Sequence, residues 1–338
     1  MKNKEKVIIS AYDTTAMHAG SKAKTDIEQI VHDEFGFEIE RIELKNNNIV
    51  CRLKNIMKKL FFNEKYKNCK SVIIQIPYSG KRIYTNKIKN KIAIIHDIDG
   101  IRKNDSVLLK NEIEFYKTFD AIISHNEKMT KFLIEKGLDK NRIFNIEIFD
   151  YLCDIEKKTN NKEFDKENIK IVYIGNYSKA PFLKQLESEK MKFNLNFYGA
   201  CNETISNDKI ILKGKFLPND LPKNIQGDLG LVWDGNYDES EDTNGYQYKN
   251  YTKYNNPHKL SGYIAAEIPV IVWEDAAIAE FVKKYNIGYT IRNIYDINQI
   301  NFSDYIEKQK NVHILSERVR EGYYTKKVFS EALKNRAV

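Results

Sequence analysis

Long apolar runs are missing from this sequence, and no stretch approaches the roughly 20 residues that a membrane-spanning helix needs. Met1-Lys2-Asn3-Lys4-Glu5-Lys6 leads straight into Val7-Ile8-Ile9, too short for a secretory leader, which predicts a cytoplasmic protein. Paired cysteines are missing as well. Cys51, Cys69, Cys153 and Cys201 stand far apart, a spacing that argues against zinc and for reduced thiols. No G-x-G-x-x-G turn follows the first strand, where Tyr12-Asp13-Thr14 stands instead, which argues against an NDP-sugar epimerase or dehydrogenase. No internal repeat occurs, and no convincing DxD triplet either, since Asp97-Ile98-Asp99 has the spacing of one in the wrong surroundings. The expected chemistry therefore uses no metal and no cofactor.

What is present is enough for two cores. The chain has 338 residues, 42% of them hydrophobic, which predicts two domains. Its formal net charge of +8 comes from lysines spread along the whole length, not gathered in a stripe. With no nucleic-acid module beside it, that charge excludes DNA and RNA as partners and suits a nucleotide-sugar or anionic lipid.

Short β-rich runs alternate with helical patterns. Val7–Ala11, Glu38–Leu44, Ser71–Ile76, Ile92–His96 and Ala121–Ser124 are expected strands, separated by helices over Thr25–Glu34, Val50–Phe62, Ser106–Phe119 and Glu127–Lys136. After a polar linker, Cys153–Asn168, a second series follows: Ile169–Ile174, Phe193–Tyr198, Lys209–Lys213, Leu229–Trp233, Val270–Val272 and Gly288–Ile291. Such alternation predicts α/β architecture with two Rossmann-like halves, over residues 1–152 and 169–315, and a helical tail over 316–338. Gly235–Tyr254, rich in Asp, Asn, Gly and Tyr, is expected to be a long loop.

Lys253-Tyr254-Asn255-Asn256-Pro257-His258-Lys259-Leu260 is the most informative run. Asn256 suits an N-cap and Pro257 a first helical position; Leu260, Tyr263 and Ile264 then recur at helical spacing. A helix N-terminus in an open sheet binds phosphate. A cation at Lys259 faces the positive end of the helix dipole, which makes sense if an anion lies between them. His258 suits either a ligand contact or an ordinary helix surface.

Elsewhere, Gly175-Asn176-Tyr177-Ser178-Lys179 leaves a buried strand; the glycine permits close backbone approach and Lys179 can reach a diphosphate, although a plain βα turn accounts for it too. Gly20 and Ser21 end a small, polar loop from Asp13 that can approach a donor phosphate. His96 and Asp97 close a strand, where open α/β sheets border their ligand crevice. A reaction that removes a hydroxyl proton needs a base, and either group is of the right type. A buried imidazole and a turn-capping carboxylate are the competing readings. Ser124-His125-Asn126 ends the next strand and is expected to cap the helix after it. The apolar stripe Val50, Leu53, Ile56, Met57, Leu60 and Phe61, flanked by basic residues, fits core packing and also contact with anionic lipid.

The Lys253–Leu260 run, together with Gly230-Leu231-Val232-Trp233-Asp234 before it and Ile268-Pro269-Val270 after it, resembles the C-terminal half of a GT-B glycosyltransferase family. That family comprises bacterial β-galactofuranosyltransferases and glucosyltransferases that extend glycans on streptococcal adhesins. The resemblance is densest over Gly230–Tyr289. One departure is Glu267, where the family usually has glycine.

The resemblance implies two Rossmann-like domains facing a cleft, with the last helix crossing back to the N-terminal domain. It implies a UDP-sugar donor carrying galactofuranose or glucose, and a glycan acceptor on lipid or glycoprotein. Peripheral contact with the inner membrane face and a homo-oligomer fit the same picture. By this likeness a basic residue at Lys179 meets the diphosphate. Phe216 would lie by the base, with the backbone of Leu217, Pro218 and Asn219 reading the uracil edge; Phe216 in the core and Asn219 as an N-cap are the plainer readings. A non-catalytic scaffold on the same fold is the alternative to an enzyme.

Overall fold

β-Branched runs decide where the strands of this chain lie. The computed structural model describes residues 5–12, 19–43, 62–77, 85, 87–155, 164–201, 203–238 and 248–334. It divides into two units, Met1–Ile148 with Gly322–Val338, and Phe149–Glu321.

In the first unit β1 (Lys6–Tyr12), β2 (Glu38–Glu43), β3 (Ser71–Ile76), β4 (Lys91–Ile95), β5 (Ala121–Ser124) and β6 (Ile143–Asn145) form one sheet in the order β2-β1-β3-β4-β5-β6. Every pairing is parallel. All side chains of β3, β4 and β5 are buried, the signature of a parallel sheet covered on both faces. Asn126 caps the helix Glu127–Glu135, its Oδ1 accepting from Met129 N at 2.9 Å, as the sequence predicts.

The second unit repeats the plan with β7 (Lys170–Ile174), β8 (Asn194–Tyr198), β9 (Ile210–Leu212), β10 (Leu229–Val232), β11 (Val270–Trp273) and β12 (Gly288–Ile291), in the order β12-β11-β10-β7-β8-β9. These pairings are parallel too. Two doubly wound sheets result, and their strand order reverses at β1/β3 in the first and at β7/β10 in the second. Ligands of such sheets bind outside the carboxyl ends of the strands at that reversal.

Gly230 shows how the second sheet holds its key helix. A Cβ there would lie 2.4 Å from the Tyr263 ring, so only glycine lets that ring onto β10. The buried Tyr263 hydroxyl takes a hydrogen bond from Ile174 N at 2.8 Å and faces the Val172 and Leu231 carbonyls at 3.1 Å each. The helix His258–Ala265 is thereby pinned across the β7/β10 reversal.

The C-terminal helix Tyr323–Lys334 belongs to the first unit. It packs on the helix Ala19–Phe35, with the Phe35 and Phe329 rings 6.2 Å apart, and Lys327 pairs with Glu147 at 2.6 Å. The expected return of the tail is therefore present. It begins at Gly322, whose φ of +77° breaks the helical run after Tyr305–Arg320, so residues 316 to 321 stay with the second unit.

Two other expectations are corrected, and a third is not tested by the described residues. The first helix starts at Ala19, not Thr25, because Ala23, Ile27, Ile30 and Val31 share one buried face. Gly20 and Ser21 thus sit in a helical turn and not in a loop. The stretch expected as the loop Gly235–Tyr254 contains the helix Tyr248–Thr252, which sets Lys249 Nζ 3.9 Å over the Trp233 ring. The helix expected over Val50–Phe62 lies outside the described residues except for Phe62.

Candidate active site

β7 delivers Tyr173 and Ile174 to the sheet edge, and Gly175 turns the chain. Asn176 Oδ1 accepts from Ser178 N at 3.1 Å and shapes the single turn Tyr177–Lys179. Lys179 is exposed, while its carbonyl accepts from Gly235 N at 3.0 Å. That bond fastens the turn after β7 to the loop after β10, so the reversal point carries Gly175, Lys179 and Asp234 together.

Lys259 points into the same place and finds protein there. Its Nζ donates to Trp233 O and Asp234 Oδ1 at 2.7 Å each, and to Tyr173 OH at 3.3 Å. An ammonium has three N–H groups, so all are used internally. Tyr173 OH also donates to Asp234 Oδ1 at 3.2 Å, and the Tyr173 ring lies 4.5 Å below the ammonium. Burial lowers the Lys259 pKa, Asp234 opposes that shift, and nearby Lys179 adds to it. The anion that makes sense of a cation at this helix end is, in this structure, the carboxylate of Asp234.

The helix begins one residue later than its sequence predicts. Pro257 is extended, with ψ 124°, and precedes the first helical residue His258; no side chain caps the end, and Asn256 is buried instead of capping. Leu260 is core. His258 Nε2 lies 3.2 Å from Asp150 O, and its ring stacks on Tyr151 at 5.0 Å. Tyr151 OH then donates to Pro218 O at 2.5 Å, tying the Phe216–Asn219 segment to the helix start. Phe216 is half-buried with its ring 6.0 Å from Tyr198, and Leu217 and Asn219 are exposed. Asn219 caps nothing, because the helix Leu221–Asn224 follows Asp220. The structure thus joins Gly175, Asn176 and Lys179 to Lys259 on one side, and Pro218 to His258 on the other.

In the first unit, His96 and Asp97 follow β4 as expected. His96 Nε2 is 2.6 Å from Gln75 Oε1, and Gln75 Nε2 reaches Ser10 Oγ at 2.5 Å and Lys24 O at 3.1 Å. Asp97 pairs with Arg102 at 3.1 Å, while Asp99 pairs with Arg102 and with Lys103. Both carboxylates of the DxD-like triplet are therefore held by cations. Glu112 accepts from Asp99 N and Gly100 N at 3.0 and 2.8 Å, and burial pushes its pKa up to about 7. His125 is fully buried against Ile95 O at 2.7 Å, and burial lowers its pKa to about 4, so it is a neutral structural imidazole. Gly20 and Ser21 occupy the first helical turn after β1, on the reversal side of this sheet.

Sequence reasoning missed Asp234, Tyr173, Tyr151 and Gln75. Asp234 carried a signal, a lone carboxylate straight after the buried run Gly230–Trp233. The tyrosines and Gln75 carried none, because residues inside strands and linkers look like core until the fold places them.

Two doubly wound parallel sheets, each with polar groups at its reversal point, define the GT-B fold of nucleotide-sugar-dependent glycosyltransferases. The chain belongs to the Glucosyltransferase 3-like family: the N-terminal domain of that description matches residues 5–148 and the C-terminal domain residues 171–332. It is 32% identical to the β-1,6-galactofuranosyltransferase WbbI of Escherichia coli (strain K12), over 93% of this chain and 94% of that one. The lipopolysaccharide outer core galactosyltransferase WaaB superposes with TM-score 0.63 at 13% identity, covering 98% of this chain and 99% of its own. Anabaena HepE, solved with UDP and glucose, gives TM-score 0.57 at 8% identity over 97% and 99% of the two chains. The chain is a glycosyltransferase. Among its described residues no helix is long and apolar enough to cross a membrane.

Proposed function

We propose that this glycosyltransferase moves galactofuranose or glucose from UDP to a hydroxyl of a glycan acceptor, carried on lipid or glycoprotein, in cell-surface polysaccharide or glycoprotein synthesis. The observation that carries this reading is the β7/β10 reversal, where Gly175, exposed Lys179 and the Lys259–Asp234 pair gather beside the start of the helix His258–Ala265. A diphosphate leaving group gains charge as the glycosidic bond breaks, and preorganised cations and backbone N–H groups stabilise it. Lys179 has an exposed ammonium for this, whereas Lys259 must exchange a protein partner for a phosphate oxygen. Phe216 and the Leu217–Asn219 backbone form the nucleoside end, with Tyr151 holding that segment through Pro218.

The acceptor proton goes to His96 or Asp97 in the other unit. This division of labour is supported by their place at the end of β4, next to the β1/β3 reversal. We assign the reaction no metal, on the grounds that Asp97 and Asp99 are each paired with Arg102 and that the cations above supply the field. The protein works as a homo-oligomer at the inner membrane face, its basic surface meeting a lipid-borne acceptor.

The test combines calorimetry with UDP and a UDP-release assay over a panel of UDP-sugars. We expect UDP binding with a clear preference for one hexose donor, and turnover that survives a chelator. His96→Ala and Asp97→Asn should leave UDP affinity intact while one of them cuts transfer steeply. Absence of UDP binding at millimolar concentration would sink the donor assignment. Complete loss of transfer on chelation would sink the metal-free one.

A further inference from the structure

Gln75 has no assigned part in sugar transfer, yet its amide is joined to His96 Nε2. It is fully buried in β3, as is Ser10 in β1. A primary amide has one end that only donates and one that only accepts. Here the two ends can be told apart by what surrounds them.

The Gln75 nitrogen lies 3.1 Å from the Lys24 carbonyl oxygen and 2.5 Å from Ser10 Oγ. A hydroxyl is satisfied by either amide end, but a carbonyl oxygen can only accept. Were the amide turned over, two acceptor oxygens would face each other in a buried site, leaving a hydrogen bond unmade. Lys24 O, carried by the helix Ala19–Phe35, thus fixes the NH₂ end and leaves Oε1 as the atom 2.6 Å from His96 Nε2. An acceptor at that distance requires a hydrogen on Nε2. In a neutral imidazole the lone pair is then on Nδ1.

We propose that Gln75 is the positioning residue that holds His96 as the Nε2–H tautomer, so that Nδ1 is the nitrogen that takes the acceptor's proton. This rests on His96 being the base of the proposed function. As the acceptor oxygen bonds to the anomeric carbon and the bond to the UDP oxygen breaks, the hydroxyl proton passes to Nδ1. The imidazolium formed still donates its Nε2–H to Gln75 Oε1, and Nδ1 later returns its proton to solvent. Ser10 and Lys24 O act one step further back, by fixing the amide that fixes the ring.

Nitrogen NMR of the full chain labelled with ¹⁵N-histidine, with the His96 signals assigned through His96→Gln, reads the tautomer directly. We expect Nε2–H with an unprotonated Nδ1 at alkaline pH. Gln75→Leu should mix the tautomers and lower UDP release from UDP-galactofuranose by roughly tenfold or more with unchanged UDP affinity. Gln75→Glu, which keeps an acceptor oxygen, should retain the Nε2–H form and recover part of the rate. A wild-type signal showing Nδ1–H would overturn the assignment to Gln75 even if His96 were the base, and that measurement needs no variant at position 75. A wild-type rate in His96→Ala would overturn the catalytic role of the Nδ1 lone pair while leaving the tautomer as measured.

Discussion

The two units place different chemistry at equivalent points. At the β1/β3 reversal the first unit holds a hydrogen-bonded relay, Ser10, Gln75 and His96, that contains no carboxylate or ammonium. At the β7/β10 reversal the second holds a buried ion pair, Lys259 with Asp234, and an exposed Lys179 beside it. A proton is best taken by a group poised near neutrality, whereas a leaving diphosphate needs fixed positive charge. One architecture thus supports two electrostatic tasks through the side chains at its strand ends.

The largest effect that separates the units should come from Lys259→Ala. Lys259 and Asp234 are 11% and 16% exposed, so removing the cation leaves a mostly buried carboxylate facing a carbonyl and a hydroxyl. We expect a loss of about 3 kcal/mol in stability by urea unfolding, the lower end for a broken buried pair. Turnover should fall by roughly a hundredfold, the scale of one preorganised charge at a developing anion. His96→Ala in the first unit should cost turnover without a comparable loss of stability. Equal stability losses in both would break the contrast between relay and ion pair.

That prediction also marks the limit of sequence reading. Lys259 stands out because a cation in a first helical turn is unfavourable, which points to a bound anion beside it, and in the structure a protein carboxylate pairs with it. Which anion was not legible, since Asp234 is 25 residues away and meets Lys259 only because β10 and the helix His258–Ala265 are packed through Tyr263. The strands that were expected lie within a residue or two of those observed, most clearly where they are buried apolar runs, but β6, whose side chains are only half-buried, was not expected. Helix starts were less so: Ala19 opens its helix without a cap signal in the sequence, and Pro257 ended up outside the helix it was expected to open. Gln75, in a strand with no exposed side chain, looked like core and turned out to hold the histidine.

A smaller effect should appear in the acid stability of the first unit, where buried His125 and half-buried Glu112 pull in opposite directions. His125 has its pKa lowered from 6.5 to about 4, so between those values the unfolded chain binds more protons and stability is lost as pH falls. Glu112 has its pKa raised from 4.5 to about 7, so over that range the folded chain binds more protons and stability is gained as pH falls. The two contributions offset each other where the windows overlap. Glu112→Gln removes only the second and should make the fall in melting temperature from pH 7 to pH 5 steeper than in the wild type. An identical slope in the variant would show that Glu112 ionises normally in the folded protein.

The smallest effect concerns the helix end that the ion pair depends on. Glu267 adopts φ +61°, a left-handed conformation that costs a side chain roughly 1 kcal/mol and that glycine adopts freely. In return its carboxylate meets Arg320 at 2.9 Å and His313 at 3.1 Å, while Arg320 also donates to Ala265 O at the end of the helix His258–Ala265. Glu267→Ala loses those contacts and keeps the strain; Glu267→Gly loses the same contacts and relieves it. Comparing the two variants therefore isolates the backbone contribution. Urea midpoints should place the glycine variant about 1 kcal/mol above the alanine variant, the gain in the folded state outweighing the greater freedom of glycine in the unfolded chain. Should the alanine variant prove equal or better, the turn is not strained, and the Arg320 contacts contribute stability outright instead of offsetting a backbone cost.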